Sequence, residues 1–230
     1  MNFLKELFEA VIYFLFPPRC PNCREIVDER YQLCETCAEK ILRLNFHDEP
    51  PFPIEKVLRV TKYRDGLQAL LHKLKFDNNL NVLPAMKKIL DDVSNHKEVL
   101  KLLNGIDLAV PVPLHAERLK ERGFNQTELI FEEFLAKKNI PLKKILIRRV
   151  ATPKLYKFGR VERQKILKGV FAAIELVDLR GKKILIVDDI FTTGTTVSEC
   201  AKVLIELGAE KVSVLALASD FGENHAGLRT

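Results

Sequence analysis

The chain has 230 residues, of which 47% are hydrophobic and 30% charged, with a formal net charge of +6. That is the composition of a globular protein with room for one good-sized domain and a small second one, and it excludes a collagen-like, low-complexity or disordered chain. Four of the five cysteines form two matched Cys-x-x-Cys pairs; disulfides are disfavoured because nothing marks the chain for export, and a redox motif because the pairs are matched rather than one lone pair.

Residues 2–16 are mostly apolar, but Lys5, Glu6 and Glu9 interrupt a run already too short to span a bilayer. The segment also lacks the basic start and small-residue cleavage site of a signal peptide, so a cytoplasmic protein without a transmembrane segment is expected. The spacing of Phe3, Leu4, Leu7, Phe8, Val11 and Ile12 predicts an amphipathic helix packed on the body, with a membrane-surface helix as the alternative. Next come Cys20-Pro-Asn-Cys23 and, after ten residues, Cys34-Glu-Thr-Cys37. Two such knuckles let four thiolates converge on one tetrahedral Zn²⁺, and a segment this small needs the metal to fold. A closed structural site made by Cys20, Cys23, Cys34 and Cys37 is therefore expected. Cys200, inside a helical pattern, reads as a small core residue.

Residues 45–53 carry three prolines in four positions and read as a linker, giving a zinc module over 1–45 and a main domain over 54–230. Beyond it, residues 56–63 alternate like an edge or hood strand, and 67–76 and 80–93 have helical spacing. Residues 107–113 predict a short buried strand that prolines end. Arg118 and Arg122, four apart, would share a helical face that suits an anionic ligand. Gly123 would end that turn and Asn125 would cap a helix over 126–138. A solvated face balanced by Glu117 and Glu121 is the competing reading.

The centre of the chain is the run from Lys183 to Thr196. Residues 184–187 are four apolar residues that predict a strand buried on both faces, ending at Asp188 and Asp189. Thr192-Thr-Gly-Thr-Thr196 follows, then a helix over 197–207 that stops at Gly208. A helix N-terminus offers unpaired N–H groups and a partial positive charge to a phosphate. Gly194 permits close approach of the backbone, and Thr192, Thr193, Thr195 and Thr196 add donors. Carboxylates accept from sugar hydroxyls and help hold a hydrated Mg²⁺, so cup and acidic pair together describe a ribose 5-phosphate site. Neither Gly-x-x-x-x-Gly-Lys-Ser/Thr nor Gly-x-Gly-x-x-Gly occurs.

Residues 184–196 resemble the thirteen-residue signature of type I phosphoribosyltransferases. Together with the knuckles, Leu74-Lys-Phe76, Val110-Pro-Val-Pro-Leu-His115 and Arg122-Gly-Phe-Asn-Gln126, in this order, they make nearly the whole chain similar to the ComF family. The resemblance implies an α/β fold: a mostly parallel sheet of type I phosphoribosyltransferase type with a small N-terminal zinc module. It also implies binding of 5-phosphoribosyl 1-pyrophosphate with Mg²⁺, transfer of ribosyl 5-phosphate to an acceptor, and a role in DNA uptake during natural competence. By position, Asp188 and Asp189 would hold the ribose hydroxyls, Thr192 to Thr196 the 5-phosphate, and Arg118 and Arg122 the pyrophosphate. One segment departs from the family pattern: Leu155 and Ile166 stand where the family commonly carries Gln and Asn, removing two polar contacts to the acceptor or the pyrophosphate. No general base stands out, since His47, His72, His96 and His225 form no constellation and His115 reads as a helix-start residue.

Residues 141–183 hold thirteen Lys or Arg against three acids, so this stretch is +10 and the remainder −4. Such local basicity suits a loop over a highly anionic substrate or the backbone of single-stranded DNA, where Tyr156 and Phe158 would stack on bases; a solvated surface with aromatics that only pack is the competing reading. The alternative function is accordingly a non-catalytic ligand sensor that handles single-stranded DNA together with DNA-uptake proteins.

Overall fold

The computed structural model describes residues 3–153, 158–175 and 177–219. In chain order the elements are α1 (Phe3–Leu15), α2 (Glu35–Ile41), β1 (Leu42–Phe46), β2 (Lys56–Lys62), α3 (Asp65–Phe76), α4 (Leu83–Asp92), α5 (Lys97–Leu103) and β3 (Leu108–Pro111). They continue with α6 (Ala116–Arg122), α7 (Gln126–Lys137), β4 (Leu146–Arg148), α8 (Arg160–Leu167), β5 (Phe171–Ala173), β6 (Lys183–Phe191), α9 (Thr195–Glu206) and β7 (Lys211–Ser219).

Five strands form one sheet in the order β1-β2-β7-β6-β3. β2, β7, β6 and β3 run parallel, and only the edge strand β1 is antiparallel. The mostly parallel α/β sheet expected from the sequence is thus present. Its central strands are covered on both sides, which explains why β6 and β7 read as continuous apolar runs. Leu58, Val60, Leu185, Val187, Leu215 and Leu217 face a core made with α3, α4, α5 and α7. Val57, Ile184, Ile186, Val214 and Ala216 face a second core under α9 and the β4–β5 hairpin.

Several local expectations change. Residues 56–62 are not an edge or hood strand: β2 pairs with β1 on one side and β7 on the other, because β1 takes the edge. β1 itself spans 42–46 and so crosses the boundary placed at residue 45. The module's Cys20, Val27, Leu33, Cys37 and Ile41 belong to the same apolar cluster as Leu67, Leu70 and Leu71 of α3. Contact is close enough that a Cβ on Gly66 would lie 2.6 Å from Leu33 Cδ2. The N-terminal helix forms, but its stripe is not packed away where its side chains are described: Phe8 is 65% and Val11 46% exposed. The knuckles turn Val27 and Leu33 toward the sheet, while Ile26 stays exposed. The 80–93 pattern begins with a short 3₁₀ turn and becomes α-helical at Leu83, with proline in the first turn, where its missing N–H costs no helical bond. β7 was not anticipated, although Lys211-Val-Ser-Val-Leu-Ala-Leu-Ala-Ser219 is as apolar as β6.

Candidate functional site

β6 runs four residues past the apolar run, so Asp188 and Asp189 lie within the strand rather than at its end. Strand alternation then sends neighbouring side chains to opposite faces. Asp189 turns toward α3 and α7, where Lys75 Nζ donates to its Oδ1 at 2.8 Å and Gln126 Nε2 to its Oδ2 at 2.7 Å. Gln126 in turn accepts from Arg122 Nη1 through its Oε1. Both of its oxygens already accept, so a ligand held by Asp189 must share or displace these donors.

Asp188 lies on the α9 side, buried near Cys200, and accepts from the backbone N–H of Asp189 at 2.9 Å. Burial, then the charge of Asp189, push its carboxyl up to about 8. At neutral pH it is therefore mostly a neutral acid, able to donate to a sugar oxygen as well as accept. A stability effect follows. Asp188 keeps its proton in the fold up to about pH 8, whereas the unfolded chain loses it near the ordinary aspartate value of 3.8. The native state thus holds the extra proton across this window, and stability falls as pH rises through it. Asp188→Asn removes the burden, so melts in Mg²⁺-free buffer should show the variant near parity at pH 4 and stabilised by on the order of a few kcal/mol at pH 8. A difference in melting temperature that does not grow with pH would show that the buried acid is not held neutral.

The cup forms at the start of α9. Gly194 has φ 73°, and a Cβ there would lie 2.6 Å from Pro51 Cγ and 2.9 Å from the Phe191 ring, so only glycine fits. Thr193 and Thr195 share a hydroxyl–hydroxyl bond of 2.9 Å, and Thr195 is buried. Thr192 accepts from Arg163 Nη1 at 2.9 Å, which brings α8 of the basic stretch to the cup. The linker closes the other side: Ser198 donates to the Phe52 carbonyl, and His47 stacks edge-on against Phe191 at 5.4 Å. Thr196 lies in the first turn of the helix.

The two arginines of α6 diverge. Arg122 joins the Gln126–Asp189 network, while Arg118 Nη2 donates to the Thr152 carbonyl at 3.3 Å. Gly123 has φ 81° and ends α6, and Asn125 caps α7 by accepting from the Thr127 N–H at 3.0 Å. His115 caps α6 as a helix-start residue, accepting from the Glu117 N–H at 3.4 Å. Sequence reasoning gave no role to Lys75, Gln126, Arg148 or Arg163. The first two stood in quoted motifs, Leu74-Lys-Phe76 and Arg122-Gly-Phe-Asn-Gln126, and only the fold brings those motifs together on Asp189. Of the two departures from the family pattern, Ile166 is half-buried on α8, and Leu155, like Tyr156, lies outside the described residues. Cys200 is buried, and burial first and Asp188 second push its thiol up, which makes it a core residue rather than a nucleophile.

At the amino end, the sulfurs of Cys20, Cys23, Cys34 and Cys37 all lie within 4.8 Å of one another. Four sulfurs bound at ~2.3 Å to one tetrahedral Zn²⁺ are roughly 3.8 Å apart, so the set fits zinc. Asn22 Nδ2 points at Cys37 Sγ from 3.3 Å. Burial would raise the Cys20 thiol, but backbone N–H groups of Cys34, Cys23 and Asn22 bring it down to about 7, whereas Cys23 and Cys34 are raised despite their backbone N–H contacts.

A double zinc ribbon domain matches residues 11–49 and a phosphoribosyl transferase domain residues 135–227. With the mostly parallel sheet and the four-cysteine cluster, this defines a type I phosphoribosyltransferase-like fold carrying a zinc-binding module near its N-terminus. The chain is 31% identical to the DNA utilization protein YhgH of Salmonella typhimurium over 86% of its own length and 88% of that protein's. To Competence protein ComFC of Bacillus subtilis it is 28% identical over 86% and 76%. It belongs to the ComF family, in which these relatives fall. Among solved structures it is similar to adenine phosphoribosyltransferase from Thermoanaerobacter pseudethanolicus, 16% identical with a TM-score of 0.39 over 79% of this chain and 86% of that one.

Proposed function

We propose that the protein binds 5-phosphoribosyl 1-pyrophosphate and transfers its ribosyl 5-phosphate to an acceptor, releasing pyrophosphate. The observation that carries this reading is the buried strand β6 delivering Asp188 and Asp189 next to the threonine cup at the N-terminus of α9. The cup, with Arg163 on Thr192, would take the 5-phosphate, and the acidic pair would take the ribose hydroxyls. Arg122 would face the pyrophosphate, whereas Arg118, expected beside it, turns away to Thr152. Asp189, with both oxygens engaged, fits a hydrated Mg²⁺ held through water better than a bare one. When bound with substrate, Mg²⁺ would neutralise charge on the departing pyrophosphate. The chain's own contribution is orientation and fixed positive charge where the leaving group gains electrons. Phosphorus NMR of the protein with ribosyl pyrophosphate and Mg²⁺ tests this: pyrophosphate should appear when a pool of cellular metabolites is added. Its absence under all conditions would leave a binding protein.

A second reading rests on the charge of +10 over residues 141–183. Relatives named for DNA utilization and competence support a role in handling single-stranded DNA, alongside DNA-uptake proteins. Binding should then be indifferent to sequence and fall with salt, with a slope of log affinity against log salt of about −0.7 per phosphate neutralised. A slope near zero in a filter-binding series would assign these charges to the small-molecule site alone.

A further inference from the structure

Two arginines from separate elements meet at one threonine on the edge of the site. Arg118 of α6 donates to the Thr152 carbonyl, and Arg148, the last residue of β4, donates Nη2 to the Thr152 hydroxyl. The backbone sets them together, because His115 and Arg148 form a parallel bridge where α6 begins. The Arg148 guanidinium carbon lies 5.7 Å from the centre of the Phe171 ring, and its Nε is buried without a hydrogen-bond partner. Among the described residues, neither arginine makes an ion pair with a carboxylate. Burial first and the charge of Arg118 second lower the Arg148 pKa. A partly buried pair of guanidinium groups without an anion is unfavourable unless something negative completes it.

The pair is also separate from the ribose site. Arg122 is tied to Gln126 and through it to Asp189, whereas Arg118 turns to Thr152 on the hairpin side. We propose that Arg118, Arg148 and Thr152 form a subsite for an oxyanion carried by the acceptor, so that the molecule receiving the ribosyl group bears a carboxylate or phosphate. This rests on the ribosyl-transfer reading. In that step the acceptor's nucleophilic atom bonds to ribose C1 as the C1–O bond breaks. The bonding pair leaves on pyrophosphate, and the nucleophile's proton passes to water.

The test is titration calorimetry on the full, zinc-loaded chain with Mg²⁺. With the protein saturated by ribosyl pyrophosphate, the cup and pyrophosphate positions are filled, and added inorganic phosphate or benzoate can reach only the arginine pair. At least one of the two anions should bind, and which one binds more tightly separates a phosphate from a carboxylate acceptor. Arg148→Met should weaken that second binding by about tenfold or more. It should change the affinity for ribosyl pyrophosphate by less than about threefold. Arg148→Lys, which keeps the charge but loses the fork, should weaken the second anion by a smaller factor and serves if the Met variant folds poorly. The proposal falls if neither anion binds the saturated protein, or if Arg148→Met leaves anion binding unchanged. Equal weakening of ribosyl pyrophosphate would instead assign Arg148 to the pyrophosphate. Should the parent fail to bind ribosyl pyrophosphate, the ribosyl-transfer reading is lost, but the pair is still decided on the free protein. There, loss of one anion site in Arg148→Met with the phosphate site of the cup kept supports it, and an unchanged set of sites overturns it.

Discussion

Replacing Asp188 and Asp189 together by Asn should weaken binding of ribosyl pyrophosphate by roughly 100-fold or more while leaving inorganic phosphate within a few-fold. Each carboxyl group would meet a ribose hydroxyl; the charged Asp189 would contribute about 1.5–3 kcal/mol and the neutral Asp188 about 0.5–1.5 kcal/mol, so the two lost contacts together account for the factor. Inorganic phosphate would be held by the cup, whose threonines and helix N-terminus are untouched, and at the Arg118–Arg148 pair, which neither acid touches. The structure sharpens the expectation for the single variants. Asp189 also restrains Lys75 and Gln126, so Asp189→Asn leaves a lysine that is largely buried without its ion-pair partner at 2.8 Å. Asp188 is already close to neutral, so Asp188→Asn alone should weaken the sugar less than Asp189→Asn. Calorimetry with each ligand measures all of these. A double variant that binds ribosyl pyrophosphate as tightly as the parent would reduce the pair to a structural feature of β6.

Much of this arrangement was legible in the chain because its signals are local. A four-residue apolar run, two acids and a glycine between threonines lie within fourteen consecutive residues, and the four cysteines within eighteen. What escaped the sequence depends on contacts between distant segments. Lys75 is 114 positions from Asp189 and Gln126 is 63, and no local pattern can say that α3 and α7 lean over the same carboxylate. The edge assignment of residues 56–63 failed for a related reason. Alternation reports burial on one face or two, but not which strand pairs on each side, and here β1 supplies the missing edge from beyond the expected boundary. Arg118 and Arg122 share a helix of seven residues, yet their long side chains take different partners, a choice made by the hairpin and by Gln126 rather than by spacing.

Stripping the zinc, or changing Cys34 to Ser, should destabilise the whole chain and not only its first forty-odd residues. Composition suggested a module hung on a prolyl linker, whose loss would spare the main domain. The core argues otherwise, because Cys20, Cys37 and Ile41 are buried in the cluster that holds Leu67, Leu70, Leu71 and Leu74 against the sheet, and β1 completes that sheet's edge. Structural zinc contributes about 10–16 kcal/mol to folding in small modules, as much as the roughly 5–15 kcal/mol that keeps a typical domain folded. Metal analysis should therefore give one zinc per chain. Thermal unfolding of the Cys34→Ser variant should be a single transition, shifted far down, with phosphate binding lost in the same step. Gly66→Ala isolates the interface from the metal: its new Cβ would press Leu33 and Asn22. It should lower stability by about 1–3 kcal/mol with the zinc content unchanged. Two separate transitions in the cysteine variant, the later one at the parent's temperature, would restore the picture of an independent module and remove the shared core as a source of the site's rigidity.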